Sequence, residues 1–228
     1  MFILYKSNTR GISKNSWLTS FHTFSFNNYY DSNRMNFGLL RVFNDDIVAA
    51  DKGFGMHPHD NMEIISIVLE GSLRHEDNFG NKRILNAGDV QVMSAGTGVV
   101  HSEYNNEKSK TSKFLQIWIE PKIPNIKPRY DQKHFDIKEN QLIEIVGNNN
   151  DSLKINQETK LFIGKYISGK KLQHNILKGF AAFIFVISGE IRVNEHFLET
   201  RDAIGIDENI EITFNNTSEI LLIEVPVE

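Results

Sequence analysis

Ile67-Val68-Leu69-Glu70-Gly71-Ser72-Leu73-Arg74 and Phe185-Val186-Ile187-Ser188-Gly189-Glu190-Ile191-Arg192 follow one pattern. Each is an apolar run closed by a polar residue and glycine, after which a polar residue and a branched aliphatic restart the chain. Short runs rich in β-branched and aromatic residues, broken at glycine, read as strands joined by tight turns. Working outward, Gly88-Asp89-Val90 has a counterpart in Arg201-Asp202-Ala203. Asn105-Asn106, a strand and Pro121 are echoed by Asn215-Asn216, a strand and Pro226. Four features in the same order predict a duplicated β unit.

The remaining pattern agrees. Ile64 to Leu69, Phe114 to Ile119, Phe183 to Ile187 and Ile220 to Val225 are strand-like, and Asn78-Phe79-Gly80-Asn81 and Asn148-Asn149-Asn150-Asp151 are turn-like. No long segment places apolar residues at helical spacing. The fold class expected is all-β, with two antiparallel barrels or sandwiches. Pro121, Pro124 and Pro128 fall between the halves, where the missing amide donors argue for an extended connector on the surface. The expected division is an N-terminal barrel over residues 1–120, a connector over 121–140 and a C-terminal barrel over 141–228.

The 228 residues are 40% apolar and 24% charged, ordinary for a globular chain with room for a large core. The net charge of −4 leaves no basic surface to grip nucleic acid or anionic lipid by charge alone. With no cysteine, disulfides, thiolate metal sites and cysteine nucleophiles are excluded, so any metal must sit on His, Asp or Glu. Neither a signal peptide nor an apolar run long enough for a membrane helix is visible, and a cytoplasmic monomer is expected.

Histidine carries the functional signal. In Gly55-Met56-His57-Pro58-His59-Asp60-Asn61-Met62-Glu63, strand alternation points His57 and His59 to one side, and Glu63 has the same parity. Val100-His101-Ser102-Glu103 offers a second pair at i and i+2. Two neighbouring strands delivering these pairs into a barrel would make a pocket of three nitrogens and one oxygen. That set suits one divalent first-row metal, with two positions left for exchange. In the second half, aligning the repeats puts Asn175 and Leu177 at the first pair, and Glu211 and Thr213 at the second, so no metal is expected there. His174 reads as a surface or core histidine. Among Phe21, Phe24 and Phe26, packing in the core is expected over lining a pocket.

The span from Gly55 to Gly71, with Gly88 and His101, resembles the two motifs of the cupin superfamily, except that Ser94 stands where many members have proline. More narrowly, Phe21-His22-Thr23-Phe24-Ser25-Phe26, Phe37-Gly38-Leu39-Leu40-Arg41-Val42, Met56-His57-Pro58-His59 and Ser94-Ala95-Gly96-Thr97-Gly98-Val99-Val100-His101-Ser102-Glu103 resemble the pirin family. The resemblance implies a bicupin with metal only in the first barrel, held by His57, His59, His101 and Glu103. The general cupin motif would use Glu63 as oxygen ligand and the pirin pattern uses Glu103. Glu103 is preferred, with Glu63 orienting a histidine, because five protein ligands would leave a single open position. Iron(II) is the metal implied, with Mn, Co, Ni, Cu and Zn as the other candidates.

Bacterial members imply quercetin 2,3-dioxygenase activity: oxygen-dependent ring cleavage of a flavonol-like aromatic substrate, with Glu103 or Glu63 taking the substrate's proton. The eukaryotic pirin implies an alternative, an iron-binding redox sensor that modulates a protein partner without touching DNA directly.

Overall fold

The computed structural model describes residues 2–227. Among these the only helix is a single 3-10 turn, Ser7–Thr9, and every paired strand of the four sheets runs antiparallel to its neighbours. The chain is a bicupin, two barrels each built from one large and one small sheet. In the first barrel the large sheet runs in the order Arg129–His134, Asp89–Ser94, Glu63–Glu70, Ser112–Ile119, Leu40–Val48, Leu18–His22, Gly11–Lys14. The small sheet runs Gly53–His59, Val99–Asn105, Ser72–Asp77, Lys82–Asn86. In the second, six strands face the four-stranded sheet Lys171–His174, Ile210–Phe214, Glu190–Val193, His196–Glu199.

The repeat read from the sequence is present in the hydrogen-bond registers. Gly71 and Gly189 both adopt left-handed backbone, with φ of +76° and +95°. A Cβ on either would strike the side chain of a serine, Ser112 for Gly71 and Ser218 for Gly189. Those two hydroxyls accept the amides of Ser72 and Glu190, fixing where each turn ends. The register shifts recur as well, between Lys113 and Phe114 against Glu63–Glu70 and between Val186 and Ser188 against Ser218–Pro226.

The two large sheets pack face to face. On Glu63–Glu70, Ile65 and Ile67 point to the second barrel, while Ile64, Ser66 and Val68 point into the first. On Phe180–Ser188, Phe183 and Phe185 face the first barrel, while Ala182, Ile184 and Val186 fill the second. Covering both faces explains why these strands read as continuous apolar runs rather than alternating ones. The Phe183 ring lies at the centre of the joint, with centroids 5.7, 5.9, 6.1 and 5.0 Å from those of Tyr5, Phe24, Phe37 and Phe43.

Pairing departs from the expected division of the chain at two places. Phe2–Tyr5, at the start of the chain, pairs with Ala203–Ile206 and so becomes the edge of the second barrel's large sheet. Residues 121–128 form no strand, as three prolines require, but Arg129–His134 pairs with Asp89–Ser94 and extends the first barrel's sheet. Each barrel thereby holds a segment that the sequence places with the other half or with the connector.

Candidate metal centre

His57 and His101 stand directly opposite each other on Gly53–His59 and Val99–Asn105, and His59 follows two residues on. One ligand nitrogen from each of His57, His59 and His101 lies within 4.8 Å of the others. The strand pair is bulged here: between Phe54 and His57 the first strand has one more residue than Glu103 to His101 has on the second. A bulge re-aims side chains locally. No register shift interrupts the matching pair Lys171–His174 and Ile210–Phe214 of the second barrel.

Hydrogen bonds fix which nitrogens are free. His57 donates Nδ1–H to the Gly55 carbonyl at 2.7 Å, which leaves Nε2 as its ligand atom. His75 donates Nε2–H to Asp77 Oδ2 at 3.3 Å, which turns its Nδ1 toward His101. The Nδ1 of His101 shares a hydrogen bond with it at 3.4 Å. The Nε2 of His101 is buried with no partner in the protein. A buried imidazole nitrogen left unmatched beside two further imidazoles fits a divalent cation, and partners of this kind orient metal-binding histidines. Burial, followed by the neighbouring histidines, depresses His59 to about 4. His101 is likewise lowered to about 4 by burial, so both imidazoles are neutral at pH 7, as coordination requires.

Glu103, fully enclosed, borders the same cavity as His57 and His59. Its Oε1 accepts from Ser66 at 3.1 Å and its Oε2 from Gln116 Nε2 at 2.9 Å. Burial works to raise its pKa, but His101, His75 and the Gln116 amide outweigh it and hold the carboxylate below the ordinary value. Glu63 is elsewhere. It has the parity of Ile65 and Ile67, opposite to Ser66, so it leaves the sheet on the face turned away from Glu103. There its Oε2 accepts from Ser94 Oγ at 2.6 Å and from the Asn156 amide at 3.0 Å. The parity drawn from His57 to Glu63 fails because Asn61 turns the chain in left-handed backbone (φ 44°), putting Glu63 on a new strand.

The cavity in front of the histidines has a volume of about 510 Å³, in the range that holds a drug-sized ligand. Phe26, Phe54 and Trp118 supply flat apolar wall, while Ser13, Ser20, Asn27, Asn44 and Gln116 supply polar groups. The phenylalanine cluster is therefore divided: Phe24 is core, and Phe26 is wall, edge-on to Trp118.

The second barrel has no equivalent centre among the described residues. Matching the paired registers through Gly71 and Gly189 sets Ile210 at His101, Ile212 at Glu103 and His174 at His57. The alignment of Glu211, Thr213, Asn175 and Leu177 was one residue out of step, which in a strand exchanges the inner and outer faces. Ile210 and Ile212 are buried core. His174, the one ligand type retained, pairs with the buried carboxylate of Glu224.

Four further residues of the site, His75, Asp77, Ser66 and Gln116, lie outside the sequence motifs. His75 and Asp77 share a strand face with Leu73, and that alternation was their signal. Nothing local marks Ser66 or Gln116.

A family profile for pirin matches residues 5–119. The chain belongs to the pirin family. A second profile, the quercetinase C-terminal cupin domain, matches residues 146–225. The chain is 42% identical to a quercetin 2,3-dioxygenase of Escherichia coli strain K12, over 99% of both chains. It is 38% identical to a pirin-like protein of Caulobacter vibrioides, over 94% of this chain and 95% of that one. Its fold superposes on that of a bacterial pirin from E. coli, solved in complex with nickel(II), with a TM-score of 0.96 at 40% identity over the whole of both chains. A pirin site of this kind is a candidate for one metal. Among the described residues no helix is long and apolar enough to cross a membrane.

Proposed function

We propose that this pirin is a dioxygenase that cleaves flavonols, with one divalent metal, iron(II) in the first instance, held by His57, His59, His101 and Glu103. The observation that carries the reading is the buried, unpartnered Nε2 of His101 beside His57 and His59, which with Glu103 border a cavity lined by aromatic and polar side chains. When bound, the metal supplies Lewis acidity toward a substrate hydroxyl and a route for electrons to dioxygen. The protein's own groups do the rest. Phe26, Phe54 and Trp118 hold a planar ring system, and the neighbouring amides and hydroxyls orient its substituents. The kinship with a protein named quercetin 2,3-dioxygenase supports the same substrate class.

The test is loss of quercetin in air. The reading requires catalytic loss that stops with a chelator, returns with a divalent metal, and releases one carbon monoxide as both atoms of dioxygen enter the ester product. Oxygen-dependent loss without carbon monoxide would mark simple oxidation by adventitious metal. A change that stops at one equivalent per chain would favour a redox-sensing role toward a protein partner.

A further inference from the structure

Asp46 lies on Leu40–Val48, on the face it shares with Asn44 and opposite to Asp45. The contrast between the two aspartates is informative. Asp45 meets Arg10 at 3.2 Å and Arg201 at 3.5 Å on its side of the sheet. Asp46, 3% exposed, borders the cavity, where no lysine or arginine is among the described lining residues. Ser20 is its hydrogen-bonding neighbour, and Oδ1 has no partner at all. A buried structural carboxylate ordinarily collects donors, as Asp77 does from two backbone amides, Asn81 and His75. Glu103 has both oxygens occupied by donors. Asp46 is thus the cavity carboxyl with acceptor capacity to spare. The position in register with it in the second barrel is Gly164, where nothing of the kind is kept.

We propose that Asp46, rather than Glu63 or Glu103, is the carboxyl that accepts the proton of a substrate hydroxyl in this cavity. The inference rests on the reading of the site as one for hydroxylated aromatic substrates. In the step, the substrate O–H bond breaks and an O–H bond forms on Asp46, leaving the substrate as its oxyanion and the aspartic acid neutral. Burial pushes the Asp46 carboxyl up to about 7, against the Ser20 bond and with the charges of Asp45 and Glu103 adding to it. A base near the working pH both accepts and returns a proton readily. The other titratable groups around the cavity are His22 on the adjoining strand, His57 and His59 across it, and Glu103. Ser112–Ile119, on the other side of Asp46, contributes only Gln116 and Trp118, neither of which titrates.

The test uses zinc-loaded protein, which binds without oxidative turnover, and quercetin as probe. It reads the absorption of the bound anion together with protons released into weakly buffered medium. Above about pH 7 the unaltered protein should bind the anion with almost no proton release, and below it with release of about one proton per ligand, because Asp46 is then already protonated. Asp46→Asn should lose the anion band, or form it with about one proton released at both pH values, with zinc content unchanged. Should that variant not fold, Ser20→Ala should move the switch in proton count to higher pH. An Asp46→Asn protein with unaltered band and proton count, or a Ser20→Ala protein with an unmoved switch, overturns the assignment. Loss of proton uptake in Glu63→Gln also overturns it. Failure of quercetin to bind the unaltered protein removes the flavonol reading itself, and the assignment with it.

Discussion

In the first barrel Ser66, His75, His101, Glu103 and Gln116 converge on one polar centre, whereas the positions in register in the second are Ile184, Val193, Ile210, Ile212 and Leu222. All five of the latter are buried in one apolar cluster. The same strands, turns and register shifts thus support either a polar pocket or a filled core, and the exchange is complete on these strands. A partly satisfied polar network in a low-dielectric interior is less stable than either extreme, since each unmatched group keeps its desolvation cost. His174 obeys the same rule: having lost His101 and Glu103 as neighbours, it is retained with Glu224 as partner.

The largest effect should come from giving the first barrel a residue of the second. His101→Ile is expected to take metal content from about one per chain to near zero while the protein stays folded, because the shared core around Phe183 does not involve the site. Elemental analysis with thermal melting of the metal-free forms checks this. Loss of cooperative melting would instead make the metal part of the fold. The reverse exchange, Ile212→Glu, should bury a charge among Ile184, Leu222 and Ile210 and cost about 3–5 kcal/mol in urea titration without creating a metal site. A second metal bound at unchanged stability would break the comparison.

Gln116→Leu, the residue at that register in the second barrel, removes the donor to Glu103 Oε2 and should weaken metal binding by about 10–100-fold. Competition with a chromogenic chelator gives the number. Glu63→Gln should have the smallest effect. Metal content should not change, since Glu63 bonds Ser94 and Asn156 and not a histidine. Burial raises its pKa in the folded state, against the Ser94 and Asn156 bonds. Its favourable contribution is therefore present below the unfolded pKa and is lost as pH rises through the folded one. The Gln variant should accordingly gain stability relative to the unaltered protein between acid and neutral pH. Urea midpoints at the two pH values test the sign, and a loss of metal in this variant would return Glu63 to the centre.

Much of this was legible in sequence because it depends on local rules. Period-two alternation set His57 beside His59 and His101 beside Glu103, and glycine before a polar restart marked Gly71 and Gly189 as turns. Absence of cysteine confined metal ligands to His, Asp and Glu. Other features depend on pairing between distant strands, which no local pattern encodes. The bulge before His57, the use of Ser66 and Gln116 to hold Glu103, and the His101–His75–Asp77 chain arise only when Gly53–His59, Glu63–Glu70, Ser72–Asp77, Val99–Asn105 and Ser112–Ile119 meet. The one-residue slip in aligning the second barrel had the same origin, since register is set by inter-strand hydrogen bonds and a slip of one inverts every side chain. Composition and alternation by themselves determined a duplicated antiparallel β chain, barrel or sandwich, with a histidine-rich pair of strands in its first half. Tertiary structure decided that Glu63 faces away, that Asp46 borders the cavity with no lysine or arginine among the described lining residues, and that the second barrel is closed by isoleucine, because burial and partnership are properties of the assembled sheets.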